Sequence, residues 1–279
     1  MNRKPTDSKS AMVGPRLTEP EQPAVKAVAS ALKILLQFVT SHGPLSVSGL
    51  SEATGLSKGQ VSKILKTLRD YDFLEQNASN QEYTVGLNAF ALGNHYINAN
   101  ELSRQSLPVM RKLVDDSGHS AVLSIMRGTN VIHIMAVEGR LFIDGRWRVG
   151  RWMPYHSTAS GKLLLAHGEP DVINTLLRTR GLPRITPSTI TSEQQFRATL
   201  QKVRSQGFAT SRNETHIGTA ALAVPIYGSD SRAIATLGLI CPEHLLTDSE
   251  QERLVPMLHR YARELSLRMG AEIYPFGHS

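Results

Sequence analysis

Between residues 57 and 67 the chain gathers Ser57, Lys58, Gly59, Gln60, Ser62, Lys63, Lys66 and Thr67. Ammonium groups neutralise phosphates and hydroxyls donate to them, while Lys or Gln side chains near a helix N-terminus can reach base edges. Lys63 and Lys66 suit the phosphates, Ser62 and Thr67 can donate to them, and Lys58 and Gln60 are placed for bases. The chemistry on offer is recognition of an anionic, groove-bearing polymer.

That row acts as one surface only if a helix presents it. Ser57 is a good N-cap, and Gln60 three residues later has the reciprocal capping-box spacing. Val61, Ile64, Leu65 and Leu68 then fall at i, i+3, i+4 and i+7, a single apolar stripe. At ~100° per residue the opposite face holds Gly59, Ser62, Lys63, Lys66 and Asp70. Upstream, Ser46 can cap a short helix with Leu50 and Ala53 facing inward, and Gly55 supplies a turn where positive φ is cheap. Two short helices around a glycine turn are a helix-turn-helix unit, whose second helix enters the major groove. An ordinary amphipathic helix would carry the same stripe, so the following residues matter. Phe73-Leu74-Glu75, a polar turn over 76–81 and Glu82-Tyr83-Thr84-Val85 predict a small hairpin, and the whole reads as a winged helix. The wing holds Asn and Gln but no Lys or Arg, so its phosphate contacts are modest.

At 279 residues two domains are expected. The net charge of +7 suits an anionic partner. Its distribution says more: residues 24–69 carry +5, whereas residues 1–100 net only +2 because acids follow directly. The remaining charge lies in the second domain. A single cysteine, Cys241, excludes a disulfide framework and fits a reducing cytosol. The apolar run Ala31–Val39 is broken by Lys33 and Gln37 and is too short to span a membrane, and no signal-peptide core opens the chain. A cytoplasmic protein is expected. Residues 1–23, with four prolines among polar residues, predict a disordered arm whose Arg3, Lys4 and Arg16 could touch DNA or stay solvated.

The domain boundaries follow: arm 1–23, winged helix-turn-helix 24–86, linker helix 87–101, a second domain 102–272, tail 273–279. The linker has Leu87, Phe90, Ala91 and Ile97 at helical spacing, and its apolar side could form a dimer contact or pack on its own domain. Beyond it, a helix over 106–116 precedes strands at 119–126 and 130–137, split by the turn Arg127-Gly128-Thr129. Helices are expected over 159–166, 171–179 and 192–205, then strands over 208–211, 220–227 and 233–240. A last helix is capped by Thr247 with Glu250. Antiparallel strands flanked by helices make an α+β sensor domain.

Four collinear stretches over residues 24–270 resemble the IclR-type transcriptional regulators. They are Gly55-Leu56 with the 57–68 helix, Tyr83-Thr84-Val85-Gly86, Tyr155 to Ala166 around His156-Ser157-Thr158 and Gly161-Lys162, and Gly207-Phe208-Ala209 through Glu214 and Gly218 to Ala223-Val224-Pro225. The resemblance implies a GAF-like effector domain, a dimer or tetramer on double-stranded operator DNA, and control by a small metabolite. It places effector contacts at Ala159, Ser160, Ser211, Ala221, Gly238 and Ile240. Ser211 stands where many members have Asp, and Gly238 and Ile240 replace serines, so the lining is small and apolar. A ligand with a hydrophobic body follows, such as an aromatic or branched acid. Arg146, Arg148 and Arg151 could meet its carboxylate, although a solvated basic loop is the simpler account.

Catalysis has little to stand on. Ser160-Gly161-Lys162 is no phosphate loop, because His156 occupies the place of the required glycine, and Ala159 replaces the nucleophile of a Ser-x-x-Lys pair. The histidines of the second domain lack metal-ligand spacing; His156 reads as a loop-fixing hydrogen-bonder, with His216 the other polar candidate near the pocket, and Cys241 as buried filler. No cofactor, metal or catalytic residue is expected. A DNA-binding regulator, a repressor in preference to an activator, is favoured over a metabolite-processing enzyme fused to a winged helix and over sequence-independent DNA binding.

Overall fold

The computed structural model describes residues 23–41, 43–128, 130–140 and 149–277. The expected arm and the basic residues Arg146 and Arg148 lie outside them. The chain divides into two compact units, one reaching to Arg104 and the other beginning at Gln105.

The first unit is built from α1 (Lys26–Thr40), α2 (Val47–Thr54), α3 (Lys58–Asp70), the hairpin of β1 (Leu74–Gln76) and β2 (Tyr83–Val85), and α4 (Leu87–Ala99). Ser46 Oγ accepts the Gly49 N–H at 3.1 Å and caps α2, and Gly55 closes it with φ +72°. Only a residue without Cβ adopts that conformation freely, which is why the turn into α3 falls there. Ile34, Leu50, Val61, Leu65, Leu74 and Tyr83 form the core, with Ile64 and Leu68 partly buried against it. α1 carries no cap or unbroken apolar stripe to announce it, yet its fully buried Ile34 completes this core. Ala53, expected inside, is exposed, and Thr54 takes the half-buried place. The hairpin pairs Leu74 with Val85 and Gln76 with Tyr83, as a wing requires.

The second unit contains α5 (Glu101–Ser117, which begins in the first unit), β3 (Ser120–Arg127), β4 (Asn130–Val137), β5 (Trp152–Met153), α6 (Ala159–Ala166), α7 (Pro170–Arg180), α8 (Glu193–Gln206), β6 (Ala209–Arg212), β7 (Thr219–Tyr227), β8 (Ala233–Pro242) and α9 (Asp248–Arg268). Its six-stranded antiparallel sheet runs β5-β4-β3-β8-β7-β6. This is the expected α+β architecture; the short edge strand β5 was not anticipated. α6 packs on one face with α7 and α8 behind it, through Leu163, Leu165, Leu176, Phe196 and Leu200. α9 lies against β7 and β8, with α5 tied beside it by Tyr261 and Arg260, both bonded to Asp116.

Residues 273–279 were expected to form a tail, but the chain through Phe276 packs down. Tyr274 is buried and its hydroxyl meets His259 Nδ1 at 2.8 Å. The Phe276 ring stacks near His167 and His259 and fills the space that a side chain at Gly207 would need. Aromatic rings gain too much from burial to stay in water when such a slot exists.

Candidate functional site

α3 buries Val61 and Leu65 and leaves Ser57, Lys58, Gly59, Gln60, Ser62, Lys63, Lys66 and Thr67 exposed on its other side. Lys58, Lys63 and Lys66 form no ion pair with any described residue, so their charge is available to a partner. Three of the eight, Ser57, Gln60 and Thr67, are partly engaged within their own helix and its cap. Thr67 Oγ1 donates to Lys63 O at 3.1 Å, which uses its single proton. Gln60 closes a capping box: its N–H donates to Ser57 Oγ at 3.3 Å, and its Oε1 accepts the Ser57 N–H at 3.1 Å. That leaves the Gln60 amide NH2 directed elsewhere, a donor without its matching acceptor. At the end of α3, Arg69 is held by its neighbour Asp70 and by Gln76 of the wing, and the wing's tip residues Asn77, Asn80 and Gln81 bond within the turn.

In the second unit a cavity of about 10 Å³ lies between the N-terminal end of α6 and the sheet. Ala159, Ser160, Ser211, Ala221 and Ile240 line it, five of the six positions singled out from the sequence. Gly238 does not border it. It sits on the same face of β8, paired with Val122 and Ala223, and a Cβ there would come within 2.8 Å of Leu222 O. Its smallness therefore serves the packing of the sheet. Val122, His133, Thr158, Thr215 and Leu222 complete the lining. None of them was read from the sequence; only the strand pairing brings them to one place. Arg151 is not among the lining residues, nor is His216.

The lining has a polar seam. His133 Nδ1 meets Ser124 Oγ at 2.7 Å, and Ser124 Oγ donates to Ser160 Oγ at 3.1 Å. Burial pushes His133 down to about 4, so the ring is neutral and the seam carries no charge at neutral pH. A serine has one proton, so Ser124 Oγ accepts a hydrogen bond from His133 Nδ1–H when it donates onward, and the Ser160 proton is left for a ligand. Ser211 Oγ and Thr215 Oγ1 both donate to Ser157 O, at 2.7 and 2.9 Å. Thr158 caps α6 through the Gly161 N–H at 3.1 Å. The Ala159 and Ser160 N–H groups, in the first turn, are the helix's unsatisfied donors at this wall.

Behind the cavity lies an ion pair, Lys162 Nζ to Glu214 Oε1 at 2.5 Å, with both residues buried. Burial draws the Lys162 ammonium down and the Glu214 carboxyl up, and mutual attraction opposes both shifts. The pair ties α6 to the loop that supplies Thr215. Gly161 lies so close to Tyr155 O that a Cβ would stand 2.2 Å away, which fixes how tightly α6 seats. His156 Nε2 donates to Pro183 O at 2.9 Å and acts as a loop tether. Cys241 is buried, and burial pushes its thiol up to about 11, so it is no thiolate. Among the described residues no cluster of His, Cys, Asp and Glu could hold a metal, and no helix is long and apolar enough to cross a membrane.

Residues 27–78 match the IclR helix-turn-helix domain, and residues 94–267 match the bacterial transcriptional regulator IclR C-terminal domain. The chain belongs to the IclR family. As an IclR-family transcriptional regulator it binds operator DNA through its helix-turn-helix domain and a small-molecule effector through its C-terminal domain. It is similar to the HTH-type transcriptional regulator XynR of Escherichia coli (strain K12), 29% identical over 89% of this chain and 98% of that protein. It is likewise 29% identical to the HTH-type transcriptional regulator KdgR of the same organism, over 90% of this chain and 96% of that one. Among solved structures, an IclR transcriptional regulator from Alicyclobacillus acidocaldarius superposes with a TM-score of 0.79 at 26% identity, covering 89% of this chain and 100% of that one. The curated relatives are regulators, and the enzyme reading has no support.

Proposed function

We propose that the chain is a cytoplasmic homo-oligomeric repressor whose hold on its operator is set by a small organic acid with a hydrophobic body. The observation that carries the DNA half is the two-sided α3, with Val61 and Leu65 fully buried and three unpaired lysines on the opposite face. Lys63 and Lys66 hold phosphates, and Lys58 reads a base together with the Gln60 amide. Because Gln60 Oε1 is engaged by the cap, the side chain cannot make the bidentate contact that glutamine makes to adenine, which needs donor and acceptor together. The capped side chain suits acceptors such as guanine O6 or thymine O4.

The effector half rests on the cavity. Its apolar wall of Val122, Ala159, Ala221 and Ile240 favours a hydrophobic body, and the Ala159 and Ser160 N–H groups with the Ser160 hydroxyl favour an anionic end. At about 10 Å³ the space holds roughly one water, so a metabolite must part α6 from the sheet to enter. That coupling is what a ligand needs in order to shift a population of DNA-binding states. The oligomer rests on α4, which buries no residue and exposes Leu87, Phe90 and Leu92 by 67, 66 and 63%. A gel-shift assay on the chain's own upstream DNA, repeated with aromatic and branched acids and with glyoxylate and pyruvate, tests the reading. An effector-sensitive shift supports it, tight binding of the polar keto acids alone overturns the ligand class, and turnover of any effector overturns the regulator.

A further inference from the structure

We infer that the effector domain carries a second small-molecule site, a groove at the far end of α6 that takes a small amphiphilic carboxylate. The groove measures about 200 Å³, far larger than the cavity at the other end of the helix, and it is independent of the reading given to that cavity. Its floor is apolar, made by Leu165 of α6, Ile173 of α7 and Leu200 of α8. Its rim is cationic and polar, with Arg197, Gln201 and Arg204 at successive turns of α8. No acidic side chain is among the described residues that border it.

The two guanidiniums differ. Arg197 is already engaged by Glu193 at 2.8 Å and by Asn174 at 2.9 Å. Arg204 has neither an ion pair nor a side-chain hydrogen bond among the described residues. Its field is nonetheless felt: together with the dominant effect of burial it pushes His167, next to the groove, down to about 4. A planar, permanently charged fork above an aliphatic floor matches a carboxylate joined to a short apolar body, with the carboxylate bidentate on Arg204 and the body against Leu165 and Leu200. A bare inorganic anion would leave that floor wet, and a neutral hydrocarbon would leave the guanidinium unanswered. A single ring or a short branched chain fits the volume.

The groove is wired to the cavity. α6 is eight residues long, its first residues Ala159 and Ser160 wall the cavity, and its last, Leu165 and Ala166, wall the groove. At ~1.5 Å rise per residue the two walls stand about 9 Å apart along one helix. A ligand that seats α6 at one end therefore biases the opening at the other.

The test is protection of Arg204 in the full-length protein against phenylglyoxal, read by peptide mass mapping. Benzoate and hexanoate at millimolar concentration should slow Arg204 modification severalfold and leave the exposed Arg263 of α9 unchanged. The protection should persist in Ser160→Ala, which removes the cavity's free hydroxyl, and in that background the heat of binding should vanish on adding Arg204→Gln by isothermal titration. The inference fails if neither acid protects Arg204, if protection disappears in Ser160→Ala, or if adding Arg204→Gln leaves the isotherm unchanged. It fails equally if inorganic phosphate protects as well as benzoate, because the apolar floor would then play no part.

Discussion

Gln60 has two jobs on one side chain, and the capping box assigns an atom to each: Oε1 to the Ser57 N–H, the NH2 to the groove. Gln60→Glu keeps an acceptor at the third helical position, so thermal stability should hold while operator affinity falls by about tenfold, roughly 1.4 kcal/mol, for a lost base contact. Equal affinity in a fluorescence-anisotropy titration would remove Gln60 from the readout. Deeper in the fold, Lys162 and Glu214 pose the opposite problem, two charges with almost no water. Lys162→Met strands the carboxylate and should cost ~3–5 kcal/mol, whereas adding Glu214→Leu should return most of it. Urea unfolding of the single and double variants measures both, and a double variant as weak as the single would show that packing outweighs charge.

Among the described elements, α4 buries no residue and leaves Leu87, Phe90 and Leu92 exposed. Phe90→Glu should convert the oligomer to a monomer in sedimentation and lower operator affinity by ~100-fold or more as the paired half-sites lose their avidity. A sedimentation coefficient unchanged from wild type would rule out α4 as the contact. Elements with local signals were legible in the sequence: the Ser57–Gln60 box, the Ser192 and Thr247 caps and the strand over 130–137 sit where the residues put them. α1 was not, because Val25 at its N-cap offers no side-chain hydrogen bond and Lys33 and Gln37 interrupt its apolar run. The same limit governs the candidate site. Ala221 and Ile240 could be named from a family resemblance, but His133 reaches the cavity only through the β3–β4 register, shifted at Leu123/Ser124. Gly238 does not border the cavity, because proximity along a strand does not say which residue meets empty space.

At the scale of the whole molecule, acid should find a shared weakness. His133, His167 and His259 are each held to about 4 by burial, against an ordinary value of 6.5. The unfolded chain therefore binds more protons between those values, so stability is complete above about pH 6.5 and drains as pH falls toward 4. Each histidine contributes a slope of up to about 1.4 kcal/mol per pH unit inside that window. Denaturant midpoints measured across it should fall steadily with acidification, and a flat profile would mean that the rings find proton acceptors as the fold relaxes. Every residue of α6, from Ala159 to Ala166, is buried. While it stays seated, a helix without a wet side gives its hydrogen-bonded amides no path to deuterium. Their isotope exchange must wait for α6 to part from the sheet, which makes those few amides a clock for how often the sensor opens before any signal arrives.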